Sequence, residues 1–140
     1  MSLPESIHLE IVTPEQRLVN EVVDEVVLPG SEGSLGVLPG HTPLLTTLGI
    51  GELMYRRGTA RRFLTIAWGF AEVLPDRVSV LAEIAERAEG IDRERARKAR
   101  DRAVARLRGR SADTDFKRAQ VALQKAIIRI QISEGVGSKE

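Results

Sequence analysis

RFLTIAWGFAEVLPDRVSVLAEIAERAEGIDRERARKAR, residues 62–100, changes its periodicity once, and that change decides the architecture. Up to Ile84 the apolar residues fall into three β-rich runs, Phe63–Trp68, Phe70–Leu74 and Val78–Leu81, separated by Gly69 and by the turn Pro75-Asp76. Short period-two runs rich in β-branched residues, with turn signals between them, predict antiparallel strands. After Glu89-Gly90 the composition turns to Arg, Ala, Glu and Lys, which are strong helix formers. Asp92 is placed to cap the first helical turn, because its carboxylate can accept from an otherwise orphaned backbone N–H.

Toward the N-terminus, Ile7, Leu9 and Ile11 alternate with His8 and Glu10, and Val22, Val23, Val26, Val27 and Leu28 make a further β run that Pro29-Gly30 should break. Residues 28–53, LPGSEGSLGVLPGHTPLLTTLGIGEL, hold six glycines and three prolines. Glycine supplies positive φ and proline fixes φ, so this segment predicts a series of tight turns, either a rigid docking edge or simply the corners of a sandwich.

Toward the C-terminus a first helix should end with Gly109 at its C′ position. Ser111 and Asp113 offer N-caps for a second helix that runs to about Ser133, and the tail GVGSKE should fray. Two helices on a short link fold back as an antiparallel hairpin. The expected fold is therefore β + α: an antiparallel β-sandwich over residues 1–88, then a two-helix hairpin over residues 89–140.

The first helix presents Ala96, Ala99, Ala103 and Leu107 on one stripe. The second presents Phe116, Ala119, Leu123, Ala126, Ile127 and Ile130. An alanine stripe permits close approach but buries few methylenes, each worth about 0.8 kcal/mol. Val121, Ile128 and Ile132 lie on another face and need a second apolar partner, either the sandwich or another chain. A weak internal contact and an uncovered face describe an element with two arrangements.

Composition narrows the chemistry. The chain has 140 residues, 42% hydrophobic, 4% aromatic and no cysteine, which removes disulfides, thiolate metal sites and cysteine nucleophiles. Only His8 and His41 are present and no paired acid–base constellation is visible, so a non-catalytic protein is expected, with no required cofactor and no metal site. MSLPESIHLEIV has no basic n-region with a long apolar run, and nothing approaches the roughly 18 apolar residues of a spanning helix, so direct membrane insertion is not expected. The net charge of +1 conceals a division: residues 1–91 carry 13 acidic and 7 basic side chains, and residues 92–140 carry 7 acidic and 14 basic. Such asymmetry points to different partners for the two parts.

Nine cations and two anions crowd residues 93–110. A solvated face, a nucleic-acid surface, and an acidic protein surface or compact polyanion are the competing readings. No aromatic interleaves with the arginines, which weakens the alternative of a basic helical-hairpin nucleic-acid-binding module. Arg95 and Arg102 lie two turns apart on one face, and Lys125 and Arg129 one turn apart on the second helix. In a closed hairpin the four would surround one groove and suit a triphosphate, with Glu86 and Asp92 able to accept from a base or ribose. No Walker-type glycine loop is present, so hydrolysis of a bound nucleotide is not indicated.

Four segments in order resemble the epsilon subunit of F-type ATP synthases: Leu28–Leu45, LPGSEGSLGVLPGHTPLL; the run WGFAEVLPDRVSVLAEIAERAE; Ile91-Asp92-Arg93-Glu94-Arg95-Ala96; and Asp115-Phe116-Lys117-Arg118-Ala119. The resemblance covers essentially the whole chain. It implies a sandwich of about ten strands docked on the gamma subunit and c-ring, in a central-stalk rotor that couples proton translocation to ATP synthesis. It implies a hairpin that can extend to the alpha/beta catalytic head and inhibit ATP hydrolysis. It implies ATP as a regulatory ligand at Glu86, Ile91, Asp92, Arg95, Ala96, Arg102, Lys125 and Arg129. Lys125 stands where nucleotide-binding members have arginine, keeping the charge and losing the planar fork. Rotor docking would involve Glu32, Ser34 and His41; at Ser34 some members place a glutamate facing the c-ring. The implied location is peripheral, on the cytoplasmic face of a bacterial cell membrane, a bacterial source being favoured by the lack of a transit peptide.

Overall fold

The computed structural model describes residues 3–109 and 115–135. Seven strands, β1 (Ile7–Val12), β2 (Arg17–Val23), β3 (Glu25–Gly30), β4 (Gly33–Val37), β5 (Leu44–Arg57), β6 (Ala60–Leu74) and β7 (Arg77–Arg87), form one sheet in the order β2-β1-β7-β6-β5-β3-β4. Neighbours run antiparallel except β1 and β7, which are parallel.

The sheet folds over on itself because its three long strands bend along one line. In β6, Leu64 and Ile66 point into the core, and so do Ala71 and Val73, which a strict alternation from Ile66 would turn outward. The same reversal separates Leu48 from Leu53 and Tyr55 in β5, and Ala82 from Ala85 in β7. Ladder pairing runs through Leu48, Gly69 and Ala82 on one side of this line and through Ile50, Ala67 and Ile84 on the other. At the corner, Trp68 has φ 61° and Gly69 φ 130°. Seven continuous strands thus stand where about ten were expected: β5, β6 and β7 each supply a segment to both layers.

The two layers close over a core of Ile7, Leu9, Ile11, Val26, Leu28, Leu53, Leu64 and Ile66, all fully buried, with their neighbours. The Tyr55 hydroxyl donates to Glu21 Oε2 at 2.7 Å, joining β5 to β2 across the sandwich although the two lie four places apart in the sheet order. Burial raises the Tyr55 phenol above its ordinary value, and the hydrogen bond to Glu21 adds to the effect.

The glycine-rich segment holds more than turns. It contains β4 and the first half of β5, and Pro29-Gly30 continues β3 instead of ending it. Close approach explains the glycine at position 51: a Cβ there would lie 2.8 Å from the Cβ of Pro29. The valine run, expected to be continuous, is divided at Asp24, whose carboxylate accepts from the Gly58 N–H at 2.7 Å.

A 3-10 turn, Ala88–Gly90, leads into α1 (Arg93–Gly109), and α2 (Phe116–Gly135) returns along it. Asp92 caps α1 by accepting from the Arg95 N–H at 3.1 Å, as its position predicted. Asp115 performs the same service for α2, accepting from the Arg118 N–H at 3.0 Å. Ser111, Asp113 and residues 136–140 of the tail lie outside the described residues. Gly109 is the last residue of α1 and does not adopt positive φ.

Ala96 and Ala103 of α1 and Ala119 and Ala126 of α2 are all buried, so the helices meet on their alanines. The second apolar face of α2 is covered by the sandwich: Ile128 and Ile132 pack with Phe63, Met54, Ala88 and Ile91. Phe116 and Ile127, placed on the inter-helix stripe by spacing, are 45% and 37% exposed. Ile127 lies about 100° around the helix from Ala126, and only the alanine fits so close a seam.

Candidate functional site

Where α1 starts, β7 ends and α2 passes, a cleft of about 360 Å³ opens, lined by Glu86, Gly90, Ile91, Asp92, Arg95, Ala96, Ala99, Arg102 and Arg129. Its construction follows from local sequence. Asp92 starts the helix, so Arg95, Ala99 and Arg102 recur along one face at helical spacing. Ala96 and Ala99 are short enough to form the cleft wall without filling it. Arg129 enters from α2, and its Nε donates to Glu86 Oε1 at 2.6 Å.

The arginines of α1 divide by role. Arg93 donates to the Ser133 carbonyl at 2.6 Å, which caps the end of α2. Arg97 pairs with Glu134 at 2.8 Å, and Arg100 with Asp101 at 3.2 Å. The Arg95 and Arg102 side chains have no ion pair or hydrogen bond among the described residues. The cleft therefore offers two uncommitted guanidinium groups and a third held by a carboxylate, an arrangement able to grip a compact polyanion.

Seven of the eight residues expected around a nucleotide line this one cleft, and Gly90 and Ala99 join them. Lys125 does not. Its Nζ lies 4.4 Å from the centroid of the Trp68 ring. Lysine is a flexible point charge, and the face of the half-buried aromatic at the sandwich corner attracts it away from the groove. Glu86, expected to accept from a ligand, accepts from Arg129 through Oε1.

Glu32 and Ser34 sit at the exposed β3–β4 hairpin and line a shallow groove with Leu44, Leu45, Thr46 and Thr47. His41 is half-buried on the following loop, where Nδ1 donates to the Thr42 carbonyl at 2.7 Å. A second surface escaped the sequence reading. Val12, Leu81 and Phe70 are cross-strand neighbours on the outer face of β1, β7 and β6, with Leu81 59% and Phe70 55% exposed. Its signal was the outward parity of Phe70 and Leu81, opposite to that of Ala71 and Val80. Among the described residues, no group of three His, Cys, Asp or Glu side chains is arranged to hold a metal ion, and no helix is long and apolar enough to cross a membrane.

Comparison with known proteins gives this architecture a family. Residues 6–88 match the β-sandwich domain of the ATP synthase delta/epsilon chain, and residues 89–134 match its long α-helix domain. The chain belongs to the ATP synthase delta/epsilon family. It is 51% identical over 132 residues to the ATP synthase epsilon chain of Syntrophobacter fumaroxidans, covering 94% of this chain and 98% of that one. It is 49% identical to epsilon chain 2 of Syntrophotalea carbinolica, covering 94% and 96%. Among solved structures it resembles a chain of the Euglena gracilis mitochondrial ATP synthase, in an assembly of OSCP, F1 and c-ring, with a TM-score of 0.80 and 26% identity over 91% of this chain and 81% of that one. A chain from the central stalk and c-ring of the Tetrahymena thermophila enzyme shares the fold, with a TM-score of 0.59 at 12% identity over 94% of this chain and 99% of that one. The resemblance read from the four sequence segments is thereby supported over residues 6–134.

Proposed function

We propose that this chain is a non-catalytic rotor subunit of an ATP synthase central stalk, coupling proton translocation to ATP synthesis. The family membership of both domains carries this reading. The apolar surface around Val12, Phe70 and Leu81 suits a stalk neighbour such as a gamma subunit, since exposed contiguous apolar patches mark protein contacts. The hairpin bearing Glu32 and Ser34, with His41 on the next loop, suits contact with a c-ring. The subunit would then sit peripherally on the cytoplasmic face of a bacterial cell membrane, attached through its partners.

The helical hairpin is the regulatory part. Folded, it closes the cleft; extended, it would carry the cations of α1 to an acidic surface on the alpha/beta head and inhibit ATP hydrolysis. ATP is the ligand proposed for the cleft, its phosphates meeting Arg95, Arg102 and Arg129. The observation that favours this is the convergence of those three arginines from two helices, two of them without partners among the described residues. A ligand that binds only the closed hairpin stabilises that state by mass action. Calorimetry of the chain with ATP should give a binding signal that Arg129→Ala removes; no heat at millimolar ATP would refute the nucleotide assignment. Deletion of residues 92–140 should relieve inhibition of hydrolysis in a reconstituted complex and leave assembly intact. Unchanged hydrolysis would refute the inhibitory role.

A further inference from the structure

We infer that Lys125 and Trp68 form a latch that holds the hairpin against the sandwich independently of any ligand in the cleft. Trp68 has φ 61°, a conformation that a bulky side chain seldom adopts, and it is the only non-glycine residue with positive φ among the described residues. Such outliers persist where the surrounding structure enforces them, and they often serve a function. Here the irregularity sits on the line where β5, β6 and β7 turn the corner. A local distortion of this kind re-aims a side chain. The ring leaves the core and meets α2, where the Lys125 Nζ lies 4.4 Å from its centroid.

Lys125 has no carboxylate partner among the described residues, so the ring is its principal electrostatic contact. A cation over the face of tryptophan is attracted by the ring quadrupole. Arg129 lies one helical turn further on, in the cleft, paired with Glu86. The two attachments of α2 therefore differ in kind. The Arg129–Glu86 pair borders the proposed ligand and must respond to it. The Lys125–Trp68 contact lies outside the cleft lining and need not. A lysine in this place trades a phosphate contact for a clamp on the sandwich, so the hairpin stays closed when the cleft is empty.

The latch itself is a property of the free chain, and only its regulatory consequence rests on the proposed function. Trp68 is the only tryptophan, so acrylamide quenching of its emission reads the contact directly. Lys125→Gln in the full chain should raise quenching, and should speed hydrogen exchange of the central α2 amides by about fivefold. Lys125→Arg should restore both. Trp68→Gly relieves the positive φ, so it should speed α2 exchange while leaving the melting temperature of the sandwich unchanged or higher, a combination that a merely structural tryptophan would not give. Exchange and quenching unaltered in Lys125→Gln would overturn the latch. So would a Trp68→Gly protein with a destabilised sandwich and an unaltered α2. In a reconstituted complex Lys125→Gln should deepen inhibition of hydrolysis. A latch present in the free chain with hydrolysis unchanged in the complex would count against the regulatory reading and leave the latch standing.

Discussion

Arg129 Nε and Glu86 Oε1, 2.6 Å apart, tie the C-terminal half of α2 to the end of β7 across the mouth of the cleft. The pair is partly exposed, with side chains 27% and 36% accessible, so solvent screens much of its Coulomb energy. What it does is hold a guanidinium at the lining of the cleft.

A double-mutant cycle with Arg129→Ala and Glu86→Ala should therefore give a coupling of about 1 kcal/mol or less, shrinking as salt is added. Hydrogen exchange of the α2 amides at low and high ionic strength measures it. A coupling of several kcal/mol would mean that the pair is a principal support of the hairpin.

Beneath the hairpin, Thr65 is 1% exposed and its hydroxyl has no hydrogen-bond partner among the described residues. It shares a face with Phe63, on the side that α2 covers, so closure removes the hydroxyl from water without compensation. Thr65→Val should stabilise the docked hairpin by about 1 kcal/mol. Slower α2 exchange is the expected result; faster exchange would show that the hydroxyl contributes to docking.

Tyr55 predicts an alkaline limit. Its phenol is raised from 10.0 in the folded chain, chiefly by burial and then by the bond to Glu21. The unfolded chain releases this proton first, so above pH 10 it binds fewer protons than the folded one, and stability falls with rising pH. Below pH 10 both states keep the proton and the contribution is intact. Thermal unfolding of Tyr55→Phe should lose this part of the alkaline dependence, while losing about 1.5 kcal/mol or more at neutral pH with the hydrogen bond to a carboxylate.

Gly69 and Gly33 both have φ near 130°, yet their substitutions should differ. A Cβ at Gly69 would lie 2.0 Å from the Leu81 carbonyl oxygen, whereas at Gly33 it would meet nothing within 4 Å. Gly69→Ala should cost roughly 3 kcal/mol or more by combining clash and strain, and Gly33→Ala roughly 1–2 kcal/mol from strain alone. Equal midpoints in urea for the two variants would refute the corner as described.

Much of this was legible in the chain. The switch of period near Glu89 separates strands from helices, and Asp92 caps α1 as its type and place required. Helical spacing put Arg95 and Arg102 on one face, and the structure brings Arg129 to them. The departures have local causes. Glycines at positions 30, 33 and 36 read as turns, but they sit within paired strands, because β3 and β4 pair with each other across a turn confined to Ser31-Glu32. Asp115 is the cap described for α2, while Ser111 and Asp113 lie outside the described residues. Lys125 faced the cleft by spacing alone, and no linear pattern reveals that a strained tryptophan 57 positions earlier competes for it. Phe116 and Ile127 remain exposed because alanines set the distance between the helices.

The bend shared by β5, β6 and β7 has a mechanical consequence. In a sandwich of two separate sheets, the layers resist sliding only through interdigitated side chains. Here three adjacent covalent chains pass from one layer into the other, and the parallel pairing of β1 with β7 ties the first strand to one of them. A sideways load on the outer face near Phe70 and Leu81 must therefore stretch or twist backbone before it can shear the core. Such a module transmits torque as a solid block, and leaves the α1–α2 seam, closed on four alanines, as the softer joint.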